Sequence, residues 1–329
     1  MKKWRSHTAT AAVAVVCLAL GLLLHSCSAS PLADPKPYAG PLPSATPPQE
    51  LAIYALVTGV GSLLFERRDF SMAGVLVKHP KGDLLIDTGL GRHIDEQFQT
   101  LPMVLRATIS SYSLWQPAAD RLSACGYGAK SLRAILLTHA HWDHVSGLPD
   151  FPGVPVWVTS QEHQFIRDGG HGQFRKPFAG TGYEDYGFEE GPYLGFAASY
   201  DVYGDGSIVV VPAPGHTPGS VIIFVTLHDG TRYAFVGDLV WQMEGINERK
   251  ERPWFTRTLV DRDAAGTREN LLHMIAIKKR MPDLIIVPAH EMRAMAGCVF
   301  ITMEAGANEE SKARVDRSGC ASSDVVGAS

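Results

Sequence analysis

The stretch Leu136-Leu137-Thr138-His139-Ala140-His141-Trp142-Asp143-His144 places four potential metal ligands within six positions. Imidazole beside carboxylate at this density is how zinc and iron sites are built. His139 and His141 are two apart, so on an extended backbone they point the same way and could share one cation. Asp143 and His144 follow where the chain begins to turn and could face a second. A polar loop with scattered surface histidines is the plain alternative, and the ligand density argues against it.

The elements that must position these residues are short apolar runs. Ala134-Ile135-Leu136-Leu137 reads as a buried strand that ends just before the first histidine. The same device recurs. Ser207 to Val211 precedes Pro214-Gly215-His216-Thr217-Pro218-Gly219, Tyr233 to Val236 precedes Gly237-Asp238, and Leu284 to Val287 precedes Pro288-Ala289-His290. Strand ends that each deliver a His or Asp imply a mixed α/β sandwich gathering those ends at one edge. Leu51 to Val60 reads as the first strand. Met72 to Lys78 and Asp83 to Ile86 read as a hairpin about Pro80-Lys81-Gly82, and Ser220 to Thr226 as a further strand. Helices are expected over Pro117 to Cys125, from an N-cap at Ser160 to about Arg167 with Glu162 in the first turn, and over 267–281. Asp87, just past a strand, either orients a ligand His from behind or caps backbone amides in a turn.

At this point the motifs resemble a known family. T-H-A-H-W-D-H is similar to the H-x-H-x-D-H signature of the metallo-β-lactamase superfamily. G-H-T-P-G-S, the later G-D and P-A-H match its other motifs in order, over roughly residues 51 to 295. The resemblance implies an α/β fold, a four-layer αββα sandwich, with a site for two divalent metal ions. It assigns His139, His141 and His216 to one metal, Asp143, His144 and His290 to the other, and Asp238 to both. Ligands of this type suit zinc, with iron, manganese or cobalt as alternatives. A water shared by two cations then loses a proton near neutral pH and becomes the nucleophile. Asp143 is implied as the catalytic proton relay.

Departures from subfamily patterns narrow the substrate. β-Lactamases that bind two zincs generally carry Cys where this chain has Asp238. A glyoxalase II expects a helical C-terminal region, whereas about forty residues rich in Gly and Ser follow His290. The expectation is therefore an ester or lactone hydrolase similar to the N-acyl homoserine lactonases, acting on a small molecule. A phosphodiesterase or phospholipase-like hydrolase is the alternative, with Arg249, Lys250, Arg252 and Arg257 as its cationic patch. A mononuclear iron enzyme resembling the persulfide dioxygenases is less favoured, because the second ligand set is complete. Residues 92–117 have no clean period and are read as surface packing or a flap over the site. Residues 168–206, rich in Gly and aromatics, are read as a binding loop in which Tyr183 or Tyr186 could donate to a substrate oxyanion. His171 in that loop is read as a surface residue.

Composition bounds the rest. The chain has 329 residues, 45% hydrophobic and 19% charged, with a net charge of −4, which is globular and offers no basic face for nucleic acid. Its five Cys form neither a zinc ribbon nor a disulfide framework. Lys2, Lys3 and Arg5 followed by the apolar run Ala11 to Leu24 read as a signal segment, and Leu24-His25-Ser26-Cys27 resembles a bacterial lipobox. The expected organisation is a lipoprotein-type signal peptide over 1–26, a Pro-rich tether over 27–50, a hydrolase domain over 51–300 and a disordered tail over 301–329. The protein is expected to be exported: at the periplasmic face of a bacterial membrane, anchored through lipid on Cys27, or periplasmic or extracellular after ordinary signal cleavage.

Overall fold

The computed structural model describes residues 31–63, 69–169, 180–295 and 298–300. The signal segment, Cys27, His171 and the expected tail lie outside them. β-Branched and leucine-rich runs with both faces apolar form the central strands, because each such run can be covered on two sides. β1 (Ala52–Leu63), β2 (Asp69–Lys78) and β3 (Asp83–Ile86) form an antiparallel meander. Helices α1 (Ile94–Thr100) and α2 (Met103–Thr108) follow, then β4 (Ile109–Leu114), which pairs with β1, and α3 (Ala118–Ala124). β5 (Leu132–Leu136) lies parallel to β3, and the one-turn α4 (Trp142–Val145) follows it. β6 (Val156–Thr159), α5 (Ser160–Arg167) and β7 (Tyr183–Tyr186) extend this sheet.

The second half builds a second sheet from β8 (Tyr200–Asp201), β9 (Ile208–Pro212), β10 (Val221–Thr226) and β11 (Arg232–Phe235). Helices α6 (Glu244–Asn247), α7 (Trp254–Val260) and α8 (Ala264–Arg280) intervene before β12 (Ile285–Val287), which lies parallel to β11. β13 (Val299–Phe300) returns to pair with β1. The sheet orders are β13-β1-β2-β3-β5-β6-β7 and β12-β11-β10-β9-β8.

Three apolar layers separate four structural ones. Leu56, Leu76, Leu85 and Ile135 pack under Ile94 and Leu122 of α1 and α3. Val75, Leu84, Ile86 and Leu136 meet Ile208, Val210, Ile223 and Phe235 between the sheets. Ile222, Phe224 and Ala234 pack under Leu271, Met274 and Ile275 of α8. β10 shows the cause: all of Val221–Thr226 is buried, and its alternate residues serve the two different layers. Each buried aliphatic side chain contributes about 1.5–3 kcal/mol. The chain is thus an αββα sandwich.

Local details differ from the sequence reading. Thr159, not Ser160, caps α5, because its hydroxyl accepts the Glu162 amide while Ser160 is already helical. Residues 31–50 contain no helix or strand, as their proline content requires. From Leu32 onward, however, they lie against the domain rather than spacing it away. The Leu32 amide donates to the Arg249 carbonyl (2.7 Å), Asp34 pairs with Lys279 (2.6 Å), and Thr46 donates to Asp205 (2.7 Å). No helix among the described residues is long and apolar enough to cross a membrane.

Candidate metal centre

Every one of the seven predicted ligands arrives at the same edge of the sandwich. β5 ends at Leu136, and Thr138 is then held by the carboxylate of Asp87, itself just past the neighbouring β3. Asp87 Oδ1 accepts the Thr138 amide (2.8 Å), and Oδ2 accepts the Thr138 hydroxyl (2.7 Å). The same Oδ2 lies 2.8 Å from His144 Nδ1. Both readings of Asp87 therefore hold at once, and its φ of 52° shows that the backbone is bent to allow it.

The other ligands are fixed in the same way. His216 sits in the β9–β10 loop and its Nδ1 lies 2.8 Å from Asp261 Oδ1. Gly215 before it has φ 148°, and a Cβ there would meet the Thr267 amide nitrogen at 2.4 Å. His290, after β12, directs Nδ1 at the Ser71 carbonyl of β2, 2.9 Å away. A ring N–H committed to a carboxylate or carbonyl leaves the opposite nitrogen as a lone-pair donor. So Nε2 of His144, His216 and His290 faces the cluster.

The donor atoms converge as two groups that share Asp238. His139, His141, His216 and Asp238 form one, and Asp143, His144, Asp238 and His290 the other, with the candidate ligand atoms of each within 4.8 Å of one another. Asp238 Oδ1 lies 3.2 Å from His144 Nε2 and 3.0 Å from His290 Nε2. Its Oδ2 lies 3.3 Å from His216 Nε2 and 3.9 Å from His139 Nε2. His290 Nε2 is also 3.3 Å from Asp143 Oδ2.

Burial and the neighbouring His144 hold His139 well below the usual imidazole range, so it stays neutral. Burial opposes charge on His144 and His290 too, but the carboxylates of Asp87 and Asp238 outweigh it at the former and Asp238 at the latter, and both are raised. Asp238 is held well below the carboxylate range despite its burial, by His290 and His144. His139 Nε2 is fully buried without a hydrogen-bond partner, and His141 Nδ1 points at His216 Nε2 across 2.8 Å. Converging buried lone pairs are costly unless a shared positive centre satisfies them. The donor set fits divalent cations held by nitrogen and oxygen.

Several supporting residues carry no sequence motif. Glu162 is buried in α5 and joins two ligand loops. It accepts the Ala140 amide (2.6 Å), the Thr217 hydroxyl (2.7 Å) and the Gly219 amide (2.9 Å). Burial pushes its carboxyl up to about 7, against the pull of those three donors. In the sequence it was visible only as an acid in a first helical turn. Arg252 pairs with Asp261 (3.1 Å) behind His216, so it is a buried strut and not a solvated charge. The other three cations of the expected patch also have acidic partners: Arg249 with Asp34, Lys250 with Glu248 (2.6 Å) and Arg257 with Glu251 (2.5 Å).

A cavity opens over the cluster. His141, Asp143, His216, Asp238 and His290 line its floor. Its walls are apolar: Phe70 and Met72 from β2, Trp142, Trp241, Leu105 of α2, Ile109 of β4, and Phe255, Leu259 and Val260 of α7. The stretch 92–117 thus does reach the site, through Leu105 to Ile109. Tyr183 and Tyr186 do not line this cavity. β7 turns them into the two layers flanking the first sheet, so the oxyanion role expected of them is withdrawn.

Comparison with known proteins agrees with this geometry. The family model described as "Metallo-beta-lactamase superfamily" matches residues 68–290. The chain belongs to the metallo-β-lactamase superfamily. A relative named "Probable metallo-hydrolase Rv2300c" from Mycobacterium tuberculosis is 27% identical over 230 residues, covering 66% of this chain and 73% of that one. An N-acyl homoserine lactonase, AttM of Rhizobium radiobacter, is 29% identical over 150 residues, 44% of this chain and 55% of its own. Among solved structures, an N-acyl homoserine lactone hydrolase with N-hexanoyl-L-homoserine at its metal centre superposes with a TM-score of 0.57 at 16% identity, covering 75% of this chain and 96% of the other. That likeness shows the shared sandwich. Like these superfamily members, the chain is a metal-dependent hydrolase.

Proposed function

We propose that this metallo-β-lactamase-fold hydrolase opens a lactone or small ester bearing an apolar chain, using two divalent cations held by the seven residues above. The observation that carries the reading is the pairing of a complete double ligand set with an apolar-walled cavity directly above it. Two relatives in the comparison act on, or hold the product of, acyl homoserine lactones, which supports the same substrate class.

A pair of cations bound at this site would supply an activated water at neutral pH and polarise the scissile carbonyl. The chain's own groups do the remainder. His139, His141 and His216 hold one side, Asp143, His144 and His290 the other, and Asp238 offers one oxygen to each. Asp143 has a more exposed side chain (11%) than the other ligands whose ion pairs are resolved here, and it lines the cavity. It is placed to take a proton on Oδ2 and to return it to the leaving alkoxide. Phe70, Phe255 and Leu259 exclude water and seat the apolar chain. None of Arg249, Lys250, Arg252 and Arg257 lines the cavity above the ligands, which favours an uncharged ester over a phosphodiester.

Metal analysis and a substrate panel test this. Two equivalents of zinc per chain and turnover of acyl lactones above aryl esters and bis-aryl phosphodiesters are expected. One iron with oxygen uptake on a persulfide, or phosphodiester turnover above lactone turnover, overturns it. The start of the chain further supports export and lipid attachment at Cys27. A palmitate label lost in Cys27→Ala is the expected result, and an unlabelled wild-type chain sinks that part.

A further inference from the structure

We propose that Trp241 is a positioning residue that sets the rotation of the Asp238 carboxylate, with Arg252 as its backing, so that each oxygen serves a different cation. The inference rests on the two-cation reading above and adds residues that the ligand motifs do not contain.

The geometry is specific. Trp241 Nε1 donates to Asp238 Oδ2 at 2.9 Å. That oxygen faces His216 and His139, while Oδ1 faces His144 and His290. One N–H on one oxygen therefore decides which way the carboxylate plane lies between the two groups. The indole is itself held. The Arg252 guanidinium lies 5.0 Å from the ring centroid, in cation–π range, and Phe70 meets the ring edge-to-face at 5.2 Å and 84°. Arg252 also donates to the carbonyls of Asp238 and Leu239, fixing the backbone from which the carboxylate projects. Through Asp261 it reaches Nδ1 of His216 (3.1 and 2.8 Å), so one guanidinium steadies both Asp238 and His216.

The residue type matters. The indole N–H is a donor only and does not titrate in water, so the carboxylate is oriented identically across the working pH range. The hydrogen bond falls on one oxygen alone, so it holds the carboxylate unequally toward the two ligand groups, and the same ring closes the cavity wall above them.

Trp241→Phe keeps an aromatic side chain but deletes the N–H, together with one of the two fused rings that meet Arg252 and Phe70. Purified full-length wild type and variant, stripped by chelator, are titrated with Co(II) alone, following the d–d absorption and the bound stoichiometry. The wild type is expected to bind two equivalents. The variant is expected to bind one with unchanged affinity and one with affinity lowered 10–100-fold, with an altered d–d spectrum. The metal-free variant should melt only slightly lower, from the smaller ring against Phe70 and Arg252. Arg252→Lys, which keeps charge but not the flat stack or the fork to both carbonyls, should give a smaller loss in the same equivalent. Identical isotherms and spectra for wild type and Trp241→Phe overturn the proposal and leave the two-cation reading standing. Equal weakening of both equivalents also overturns it, since the ring would then act only as a structural plug. A wild type that binds a single equivalent overturns the two-cation reading itself.

Discussion

The floor and the roof of the cavity are built on opposite principles. On the floor and just beneath it, His139, His144, His216, Asp238 and His290 are each 5% exposed or less. Three of the four histidines there have a named acceptor behind the ring, and Asp238 is braced from two sides. On the roof, α2 and α7 contain no buried residue although both are mostly apolar. Met103 and Val104 of α2 and Trp254 of α7 are 75%, 58% and 52% exposed. A floor in which His144, His216 and His290 are each held from behind by a second bond leaves little room for a change of rotamer. A roof of short helices with few packing partners can be exchanged without touching the chemistry. The contrast locates reaction type in the floor and substrate preference in the roof.

Substitutions can break or sharpen that division. The largest effect is expected on the floor. His290→Ala should remove one metal equivalent and cut kcat/KM about 10³-fold, roughly 4 kcal/mol of barrier, with far-UV circular dichroism unchanged. Unchanged turnover would remove the ligand assignment. One layer behind the floor, Asp261→Ala leaves Arg252 buried without its carboxylate. Removing one partner of such a pair costs about 3 kcal/mol or more, so thermal denaturation should fall by roughly 5–10 °C together with weaker metal binding. A melting point within a degree of wild type would show that the strut is dispensable. The smallest effect belongs to the roof. Phe255→Ala should raise KM for a long-chain acyl lactone about tenfold, leave a short-chain one nearly unaffected, and keep kcat within about twofold. Equal losses in kcat for both chain lengths would mean that α7 helps to place the reacting atoms, and the floor-and-roof division would fail.

Much of this could be read from residue order alone. Ligands that follow apolar strands need no long-range information to be recognised, since strand period and residue chemistry are local properties. The same holds for the α8 helix and for the hairpin at Gly82. The supporting residues could not be found this way. Asp261 stands 45 positions from His216, and Arg252 36 positions, in loops with no periodic pattern. Glu162 stands 55 positions from Thr217, in a helix whose sequence suggests only a first-turn acid. Tyr186 misled because an aromatic in a Gly-rich stretch looks free to reach a substrate until β7 pairs with β6 and buries it.

The sequence by itself therefore determined the ligand types, their order and the strands that carry them, because these depend on spacing and polarity along the chain. Only the tertiary structure decided which nitrogen of each His faces the cluster, which oxygen of Asp238 serves which side, and which residues wall the cavity. Those choices are made by hydrogen bonds and packing between segments dozens to hundreds of residues apart, down to the Ser71 carbonyl that orients His290 from 219 positions away. No local pattern can specify them.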